Sequence, residues 1–257
     1  MTEESLREYL KGVPGKHTVY YKNLVTGEIL DYNGNVPMMA ASVIKIPILV
    51  EVFRQIHAGV LKKDQLYVLE EGDKLPSCGC LNRMHEGLNL TVQDLYNLMI
   101  ILSDNTATNI LIRLLGGMEE INGSLAEMGY QTCRVNRLLF DSEASDKGIE
   151  NYVSGVEIAD MLEKMYRGKL VDRASSQEML EILKSQRLKN KIPFYFQGCV
   201  PIAHKTGEDD GITHDVGIIM GHRPFILCCM GNETDCPRFN RFIQKLAWSL
   251  YHKADNI

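Results

Sequence analysis

The stretch Ala40-Ala41-Ser42-Val43-Ile44-Lys45-Ile46-Pro47 places a hydroxyl and an amine three residues apart at the start of an apolar run. Apolar residues then recur at helical spacing, which predicts a helix from near Ser42 with one buried stripe. The stripe contains Ile46, Leu49, Val50, Phe53 and Ile56. Pro47 would lie in the first turn, where backbone N–H groups have no intrahelical partner. Because Ser42 and Lys45 share a face of such a helix, we expect their polar atoms to be in contact.

A hydroxyl beside an amine suits nucleophilic catalysis. A serine hydroxyl is a poor nucleophile unless a base takes its proton, and a lysine becomes that base when burial or nearby positive charge lowers its pKa. The N-terminus of the helix would also favour an oxyanion formed beside it. Ser-x-x-Lys arises by chance as well, as a capping serine followed by a solvated lysine, so the motif needs support from elsewhere in the chain.

Composition limits the class of protein and its partners. The chain has 257 residues, 45% of them hydrophobic and 24% charged, which is ordinary for a globular protein. A net charge of −5 with scattered basic residues predicts no nucleic-acid partner. No apolar run reaches the roughly 18 residues of a membrane span. We expect a monomer.

Cysteine usage and the N-terminus bear on the compartment. The seven cysteines are an odd number at irregular spacing, which favours free thiols in a reducing compartment. The first eight residues are acidic and polar, unlike a secretory leader. The sequence as it stands therefore predicts a cytoplasmic protein; the alternative is a secreted or periplasmic one whose leader has been removed.

The order of predicted elements indicates an α/β fold of the α+β type. Strands are predicted over 17–23 and 28–32, around a turn at Thr26-Gly27, and again over 200–205, 216–220 and 225–230. Helices are predicted over 1–12, 92–103, 106–115, 118–128, 155–166, 175–185 and 236–252.

The simplest assembly is one antiparallel sheet formed from the N- and C-terminal segments. The terminal helices would flank this sheet, and an all-helical lobe would be inserted between its two halves. One domain of residues 1–257 is expected, with an α/β lobe of about residues 1–60 and 198–257 and a helical lobe of about 61–197.

Two further motifs support the first. Ser103-Asp104-Asn105 lies at the junction of two predicted helices, and His204-Lys205-Thr206-Gly207 ends a predicted strand. Alone, they are explained as a helix cap and a strand closed by a glycine turn. In this order, at a helix start, in the helical segment and at a strand, the three motifs form a known signature, and the chain resembles the class A serine β-lactamase and penicillin-recognising superfamily. The resemblance covers nearly the whole chain.

The resemblance implies a role for each residue around the nucleophile. Ser42 would attack the carbonyl of a small β-lactam or acyl-peptide substrate and form an acyl-enzyme, and Lys45 would take its proton. Ser103 would pass a proton to the leaving nitrogen, and Asn105 would bind the amide of the substrate side chain. Asp104 would fix the loop rather than react.

The resemblance also implies how the substrate lies along the strand. Lys205 and Thr206 would bind its carboxylate, and Gly207 would let it lie against the strand edge. The backbone N–H groups of Ser42 and Glu208 would form the oxyanion hole. No cofactor is implied, and the histidines show no metal-ligand spacing.

The chain departs from the class A pattern at the base that activates the deacylating water. Class A enzymes carry a Glu-x-x-x-Asn setting, which the acidic stretch 137–151 does not reproduce. Asp141 or Glu143 could approach the site, with Asp146 and Glu150 as further acids, or the stretch is a solvated loop. The acidic run Glu208-Asp209-Asp210 after the Lys-Thr-Gly motif is unusual too. Its negative charge would lie close to the place where an anionic substrate binds and would disfavour ordinary penicillins.

Without a positioned base the acyl-enzyme would persist. The leading hypothesis is therefore a serine hydrolase of β-lactam amides, and the first alternative is a D,D-peptidase, penicillin-binding or esterase-like relative with slow deacylation. The second alternative is a non-catalytic ligand-binding domain of the same fold.

Overall fold

The computed structural model describes residues 3–255. Its strands are β1 (Lys16–Asn23), β2 (Ile29–Tyr32), β3 (Met38–Met39), β4 (Leu66–Val68), β5 (Asn89–Thr91), β6 (Tyr152–Val153), β7 (Ile202–Asp209), β8 (Ile212–Ile219) and β9 (Phe225–Asn232). Its helices are α1 (Glu3–Leu10), α2 (Lys45–His57), α3 (Val92–Ile101), α4 (Asn105–Leu114), α5 (Met118–Glu127), α6 (Ser142–Asp146), α7 (Gly155–Tyr166), α8 (Arg173–Lys184) and α9 (Cys236–Asp255). Short 3₁₀ turns cover Ala41–Ile44, Glu71–Asp73 and Leu81–Arg83. Within 3–255, no helix has both the length and the apolarity to cross a lipid bilayer.

A five-stranded antiparallel sheet joins the two ends of the chain. Its strand order is β2-β1-β9-β8-β7. The N-terminal hairpin attaches to the C-terminal strands through β1 and β9, which pair from Lys16 opposite Asn232 to Asn23 opposite Phe225. The predicted α+β assembly is therefore confirmed, while the lobe boundaries near residues 60 and 198 stay a prediction. Strand β7 is left at an edge of the sheet.

Two apolar cores lie on the two faces of this sheet, because successive strand side chains point to opposite faces. In β9, Cys228 belongs to the larger core with α2 and the central helices, and Cys229 belongs to the smaller core under α1 and α9. Both thiols are fully buried. The neighbouring cysteines are thus core residues on opposite faces of one strand.

Helix α2 is more deeply buried than one apolar stripe would require. Every residue from Lys45 to Phe53 is buried, since the helix is apolar on almost all sides and runs through the larger core. The only acidic residue of α2, Glu51, is buried and accepts hydrogen bonds from the side chains of Arg54, Gln55 and Ser124. The prediction of a single buried stripe is therefore wrong.

Several predicted boundaries also need correction. The turn expected after Lys205 is only Asp210-Gly211, because β7 and β8 stay paired as far as Asp209 opposite Ile212. The first helix ends at Leu10 rather than at residue 12, and residues 1 and 2 of that prediction lie outside the described part. Helix α6 and the short strands β3 to β6 had no clear periodicity in the sequence.

Candidate active site

Ser42 lies in the 3₁₀ turn Ala41–Ile44, just before α2, and not in the α-helix itself. A 3₁₀ turn has about three residues per turn, so positions i and i+3 still lie on the same side. Lys45 Nζ is accordingly 2.9 Å from Ser42 Oγ. The preceding residue, Ala41, has a φ of 40°, a conformation that costs energy for a residue with a Cβ. Such backbone strain is typical of functional sites.

Four polar atoms surround the amine of Lys45, which is completely buried. Nζ lies 2.8 Å from the Ser103 carbonyl oxygen and 2.8 Å from Asn105 Oδ1, both of which can only accept. It also lies 2.9 Å from Ser42 Oγ and 3.0 Å from Ser103 Oγ, which can donate or accept. Burial, followed by the positive charge of Lys205, holds the pKa of Lys45 well below its usual value. A neutral amine would use its two N–H bonds on the two obligate acceptors and turn its lone pair toward a hydroxyl.

The junction of α3 and α4 presents Ser103 to both amines. Ser103 has a φ of 56°, and Asp104 caps α4 by accepting from Ala107 N at 3.0 Å. The second oxygen of Asp104 accepts from the backbone N–H groups of Cys80 and Leu81 at 2.7 and 2.9 Å. Asp104 therefore fastens the loop around residue 80 to the junction, in keeping with the positional role expected of it.

Strand β7 brings a second buried lysine to the same hydroxyl. Lys205 Nζ lies 3.0 Å from Ser103 Oγ and donates to the Thr206 carbonyl at 2.8 Å. Burial, followed by the positive charge of Lys191, lowers the pKa of Lys205 to about 7. Ser103 Oγ thus bridges the two amines, and residues from three distant parts of the chain meet at one point.

Gly207 has a packing role that the sequence did not reveal. A Cβ at this position would lie 3.2 Å from Val43 Cγ2, 3.3 Å from the Ala40 carbonyl and 3.1 Å from His214 Cδ2. The missing side chain lets the turn that carries Ser42 pack directly against β7. Thr206 beside it is buried, with 2% exposure.

Lys191 is a buried cation behind β7 that sequence reasoning missed. Its Nζ donates to the carbonyls of Gly207 at 3.2 Å and His214 at 3.0 Å, and it pairs with Glu208 Oε1 at 2.8 Å. Burial alone would raise the pKa of Glu208, but the hydrogen bond and charge of Lys191 outweigh it and hold that pKa below its usual value. Nothing in the run Lys189-Asn190-Lys191 signals this burial, which comes from tertiary packing.

An open cleft of about 470 Å³ lies beside Ser42. Ser42 and Asn105 form part of its wall, together with Met39 and Ala41. Cys78, the loop after Arg137 and the end of β7 complete it. Asn105 is 6% exposed and uses Oδ1 on Lys45, which leaves its amide nitrogen without a hydrogen bond to any residue in 3–255. The cleft therefore offers an unused donor in the same wall as Ser42.

The acids of the stretch 137–151 take different positions relative to this cleft. Asp141 and Glu150 line it. Both Glu150 oxygens are engaged, Oε2 by Arg137 Nη2 at 2.7 Å and Oε1 by Ser145 Oγ at 2.7 Å. Asp141 uses Oδ1 to cap α6 at Ala144 N, 3.0 Å away, and its Oδ2 receives no hydrogen bond from the described residues. Asp141 thus has an oxygen available to the cleft.

Glu143 lies elsewhere. Its side chain is 83% exposed and pairs with Lys147 at 2.7 Å, and it does not line the cleft. Glu143 is one of the two acids that the sequence offers near the site, with a solvated loop as the alternative, and the structure places it in solvent, because it occupies the outer side of α6. Asp146 is likewise exposed and outside the cleft.

The fold and these contacts by themselves indicate a class of protein. A serine hydroxyl beside a buried amine, a second hydroxyl between two lysines and an edge strand are the parts that a serine hydrolase working through acyl transfer needs. The arrangement is that expected of class A β-lactamase-like hydrolases.

Comparison with known proteins gives the family. A family model described as “Beta-lactamase enzyme family” matches residues 1–254, so the chain belongs to the beta-lactamase enzyme family. Beta-lactamase VEB-1 of Pseudomonas aeruginosa is 25% identical over 248 residues, which cover 87% of this chain and 81% of VEB-1. Beta-lactamase L2 of Stenotrophomonas maltophilia is 26% identical over 174 residues, or 67% of this chain and 57% of L2.

Solved structures agree with this membership. PBP-A is 25% identical with a TM-score of 0.90, covering 99% of this chain and 96% of its own. A β-lactamase from Sphaerobacter thermophilus is 26% identical with a TM-score of 0.89, covering 99% and 97%. An ancestral class A β-lactamase, at 22% identity, shares the fold with a TM-score of 0.89. The predicted fold class and family are therefore confirmed.

Proposed function

We propose that this chain hydrolyses β-lactam amides through an acyl-enzyme on Ser42, as a class A-type serine β-lactamase. The observation that carries the proposal is the 2.9 Å contact between Ser42 Oγ and the amine of Lys45, whose other close neighbours include two obligate acceptors. Family membership and the relatives VEB-1 and L2, both named β-lactamases, support the same substrate class.

Acylation follows from the positions of these groups. Neutral Lys45 accepts the proton of Ser42 as Oγ attacks the lactam carbonyl, and the backbone N–H groups of Ser42 and Glu208 stabilise the oxyanion. Ser103 then donates a proton to the lactam nitrogen as the C–N bond breaks, and Lys45 replaces that proton. Lys205 and Thr206 bind the carboxylate of the substrate.

Deacylation needs a base in the cleft that is free to orient a water molecule. We assign this role to Asp141, because it lines the cleft and its Oδ2 has no hydrogen bond from residues 3–255. Glu150 is less suited, since Arg137 and Ser145 engage both of its oxygens. Water activated by Asp141 would attack the ester carbonyl and release Ser42.

The test of the main proposal combines turnover with intact-protein mass spectrometry. Wild type should hydrolyse nitrocefin, and Ser42→Ala should reduce hydrolysis to the background rate. Mixing with penicillin G should give a transient mass increase on wild type and none on Ser42→Ala. Equal nitrocefin rates for the two proteins would reject the proposal, and an adduct that never clears would instead identify the slowly deacylating, penicillin-binding alternative.

The role of Asp141 has its own matched pair of variants. Asp141→Asn keeps the helix cap, because asparagine caps about as well as aspartate, but removes the base. We expect deacylation to slow by about 10²–10⁴-fold with the acyl-enzyme accumulating. Glu143→Gln removes a carboxylate from the same helix outside the cleft and should behave as wild type. Unchanged deacylation in Asp141→Asn would contradict the assignment.

We further propose that the protein acts as a monomer in a reducing compartment, the cytoplasm, without nucleic-acid partners. All seven cysteines lie among the described residues and are free thiols, which supports a reducing environment. Sedimentation equilibrium should give the mass of one chain, and fractionation of the source cell should place the protein with cytoplasmic markers.

A further inference from the structure

The end of β7 gives the cleft a strongly negative wall. The cleft is lined by five carboxylates and one guanidinium, namely Asp141, Glu150, Glu208, Asp209, Asp210 and Arg137. Two of the carboxylates are neutralised, Glu150 by Arg137 and Glu208 by Lys191. Asp209 and Asp210 are exposed, and neither forms an ion pair with any residue in 3–255. The wall therefore keeps a net negative charge at Asp209 and Asp210.

The register of β7 relates this charge to the reaction centre. Alternate strand residues share a face, so Asp209 follows Lys205 and Gly207 on the side of the nucleophile. At about 3.3 Å per residue, Asp209 lies roughly 10 Å beyond Thr206 along the strand. A substrate whose carboxylate is bound at Lys205 and Thr206 and whose carbonyl meets Ser42 would extend its acyl side chain toward Asp209 and Asp210.

Asn105 offers a ligand in the same cleft a second polar group. This side chain is 6% exposed and lines the cleft, and its amide nitrogen has no partner among the described residues. It can donate to the amide carbonyl of an acyl side chain, which would direct the remainder of that side chain along the wall. The unused donor and the unpaired carboxylates thus face one occupant.

We propose that Asp209 and Asp210 determine specificity for substrates whose acyl side chain carries an ammonium group. This rests on the proposed function and names its substrate class. The buried lysines bind the anionic end of the substrate, and the two carboxylates attract a cation at the other end. A side chain bearing a second carboxylate is repelled. Because the two aspartates are exposed, the preference weakens as salt screens them.

Three penicillins with the same nucleus and the same phenyl side chain isolate this effect. They differ at the α carbon, which carries an ammonium group in ampicillin, hydrogen in penicillin G and a carboxylate in carbenicillin. At pH 6.5 an α-amino group is protonated. Wild type should show a higher kcat/KM for ampicillin than for carbenicillin, and Asp209→Asn/Asp210→Asn should lower that ratio about tenfold. High salt should lower it in wild type but not in the double variant.

The control variant changes the net charge of the protein by the same amount, but at residues outside the cleft. Asp64→Asn/Glu127→Gln removes two exposed carboxylates that do not line the cleft, and its ratio should stay within about twofold of wild type. Asparagine at 209 keeps a side-chain oxygen to accept from the 210 backbone N–H, the bond that Asp209 now makes at 2.9 Å, so the hairpin is preserved.

The outcomes separate this proposal from the function on which it rests. An ampicillin to carbenicillin ratio that the double variant leaves unchanged, while penicillin G is still hydrolysed, overturns the specificity proposal alone. No hydrolysis of penicillin G by wild type overturns the function. The preference for an ammonium group can then still be measured as the affinity of Ser42→Ala for each of the three penicillins. Equal affinities for all three would reject the specificity proposal.

Discussion

Lys205 should control how substrate binding depends on pH. Burial and Lys191 lower its pKa to about 7, so its charge is present below pH 7 and lost above it. We expect KM for an anionic penicillin to rise at least about fivefold between pH 7 and pH 9. The methyl ester of the same penicillin has no carboxylate and provides the control. A KM that rises equally for the acid and the ester would contradict an ionic anchor at Lys205.

Lys191 and Glu208 should move that pH profile in opposite directions. The charge of Lys191 lowers the pKa of Lys205, and that of Glu208 raises it. Lys191→Met should therefore shift the rise in KM to higher pH, and Glu208→Gln should shift it to lower pH. A purely structural role for either residue would leave the midpoint where it is.

The same lysine should matter for stability. Lys191→Met removes the buried cation that donates to the carbonyls of Gly207 and His214 and pairs with the Glu208 carboxylate. We expect a loss of about 2–4 kcal/mol in the free energy of unfolding, measured by urea denaturation. A loss no larger than that of Glu208→Gln would mean that the two carbonyl contacts contribute little.

The residues predicted to react stand out in the sequence more clearly than the residues that support them. Ser42, Lys45, Ser103 and Lys205 stood out because each lies in a short motif whose chemistry needs that residue type. Lys191 lies in no motif, and its burial depends on how the segment before β7 packs under the strand. Which loop acid faces the cleft was also not predictable, since α6 is only five residues long and has no apolar periodicity.

The contact between β7 and the 3₁₀ turn Ala41–Ile44 should be sensitive to a single methyl group. In Gly207→Ala the new Cβ would lie 3.1 to 3.3 Å from His214, Val43 and the Ala40 carbonyl. The turn must move to relieve this crowding, and Ser42 moves with it. We expect about 1–2 kcal/mol of destabilisation and at least a tenfold fall in kcat/KM for nitrocefin.

The control for this substitution is a glycine with space around it. Gly123 lies in α5 with nothing within 4 Å of an added Cβ. Gly123→Ala should raise stability by about 0.5–1 kcal/mol, because alanine favours a helix, and should leave nitrocefin kinetics unchanged. If Gly207→Ala behaves in the same way, the turn is not packed as the structure indicates.

Helices and strands were predictable where the apolar periodicity was strong. They were not predictable where packing against neighbouring elements determines the local structure. The long helices and the strands of the sheet were found, because their apolar residues recur at helical spacing or form short apolar runs bounded by turns. The tight Asp210-Gly211 turn was predicted too long, since the polar run Glu208-Asp209-Asp210 conceals that β7 continues along the cleft. That continuation is what brings the carboxylates to the site.

The sheet that unites the chain ends also makes the fold depend on a neutral histidine. His214 is fully buried in the inner strand β8. Its Nδ1 accepts from Gly231 N at 3.2 Å, and Nε2 lies 2.8 Å from the Met39 carbonyl, which can only accept. These contacts fix the neutral tautomer and connect β9 to the segment before Ser42.

Protonation of His214 should therefore destabilise the folded protein. Burial lowers the pKa of His214 to about 4, against about 6.5 for a free histidine. Between these values the unfolded chain binds a proton that the folded chain does not, so stability falls as the pH drops from 6.5 to 4, by about 3 kcal/mol for this residue. Protonation of His17 should lower stability in the same direction, because burial lowers the pKa of His17 to about 4 as well.

Urea denaturation at pH 6.5 and pH 4.5 can isolate the contribution of His214. Wild type should lose several kcal/mol of unfolding free energy between the two values. His214→Gln, whose amide can donate to the Met39 carbonyl and accept from Gly231 N without titrating, should lose about 2 kcal/mol less. His222→Gln, at an exposed histidine, should follow wild type. An equal loss in wild type and His214→Gln would assign the acid sensitivity to His17 and the carboxylates, because His214 would then bind no extra proton on unfolding.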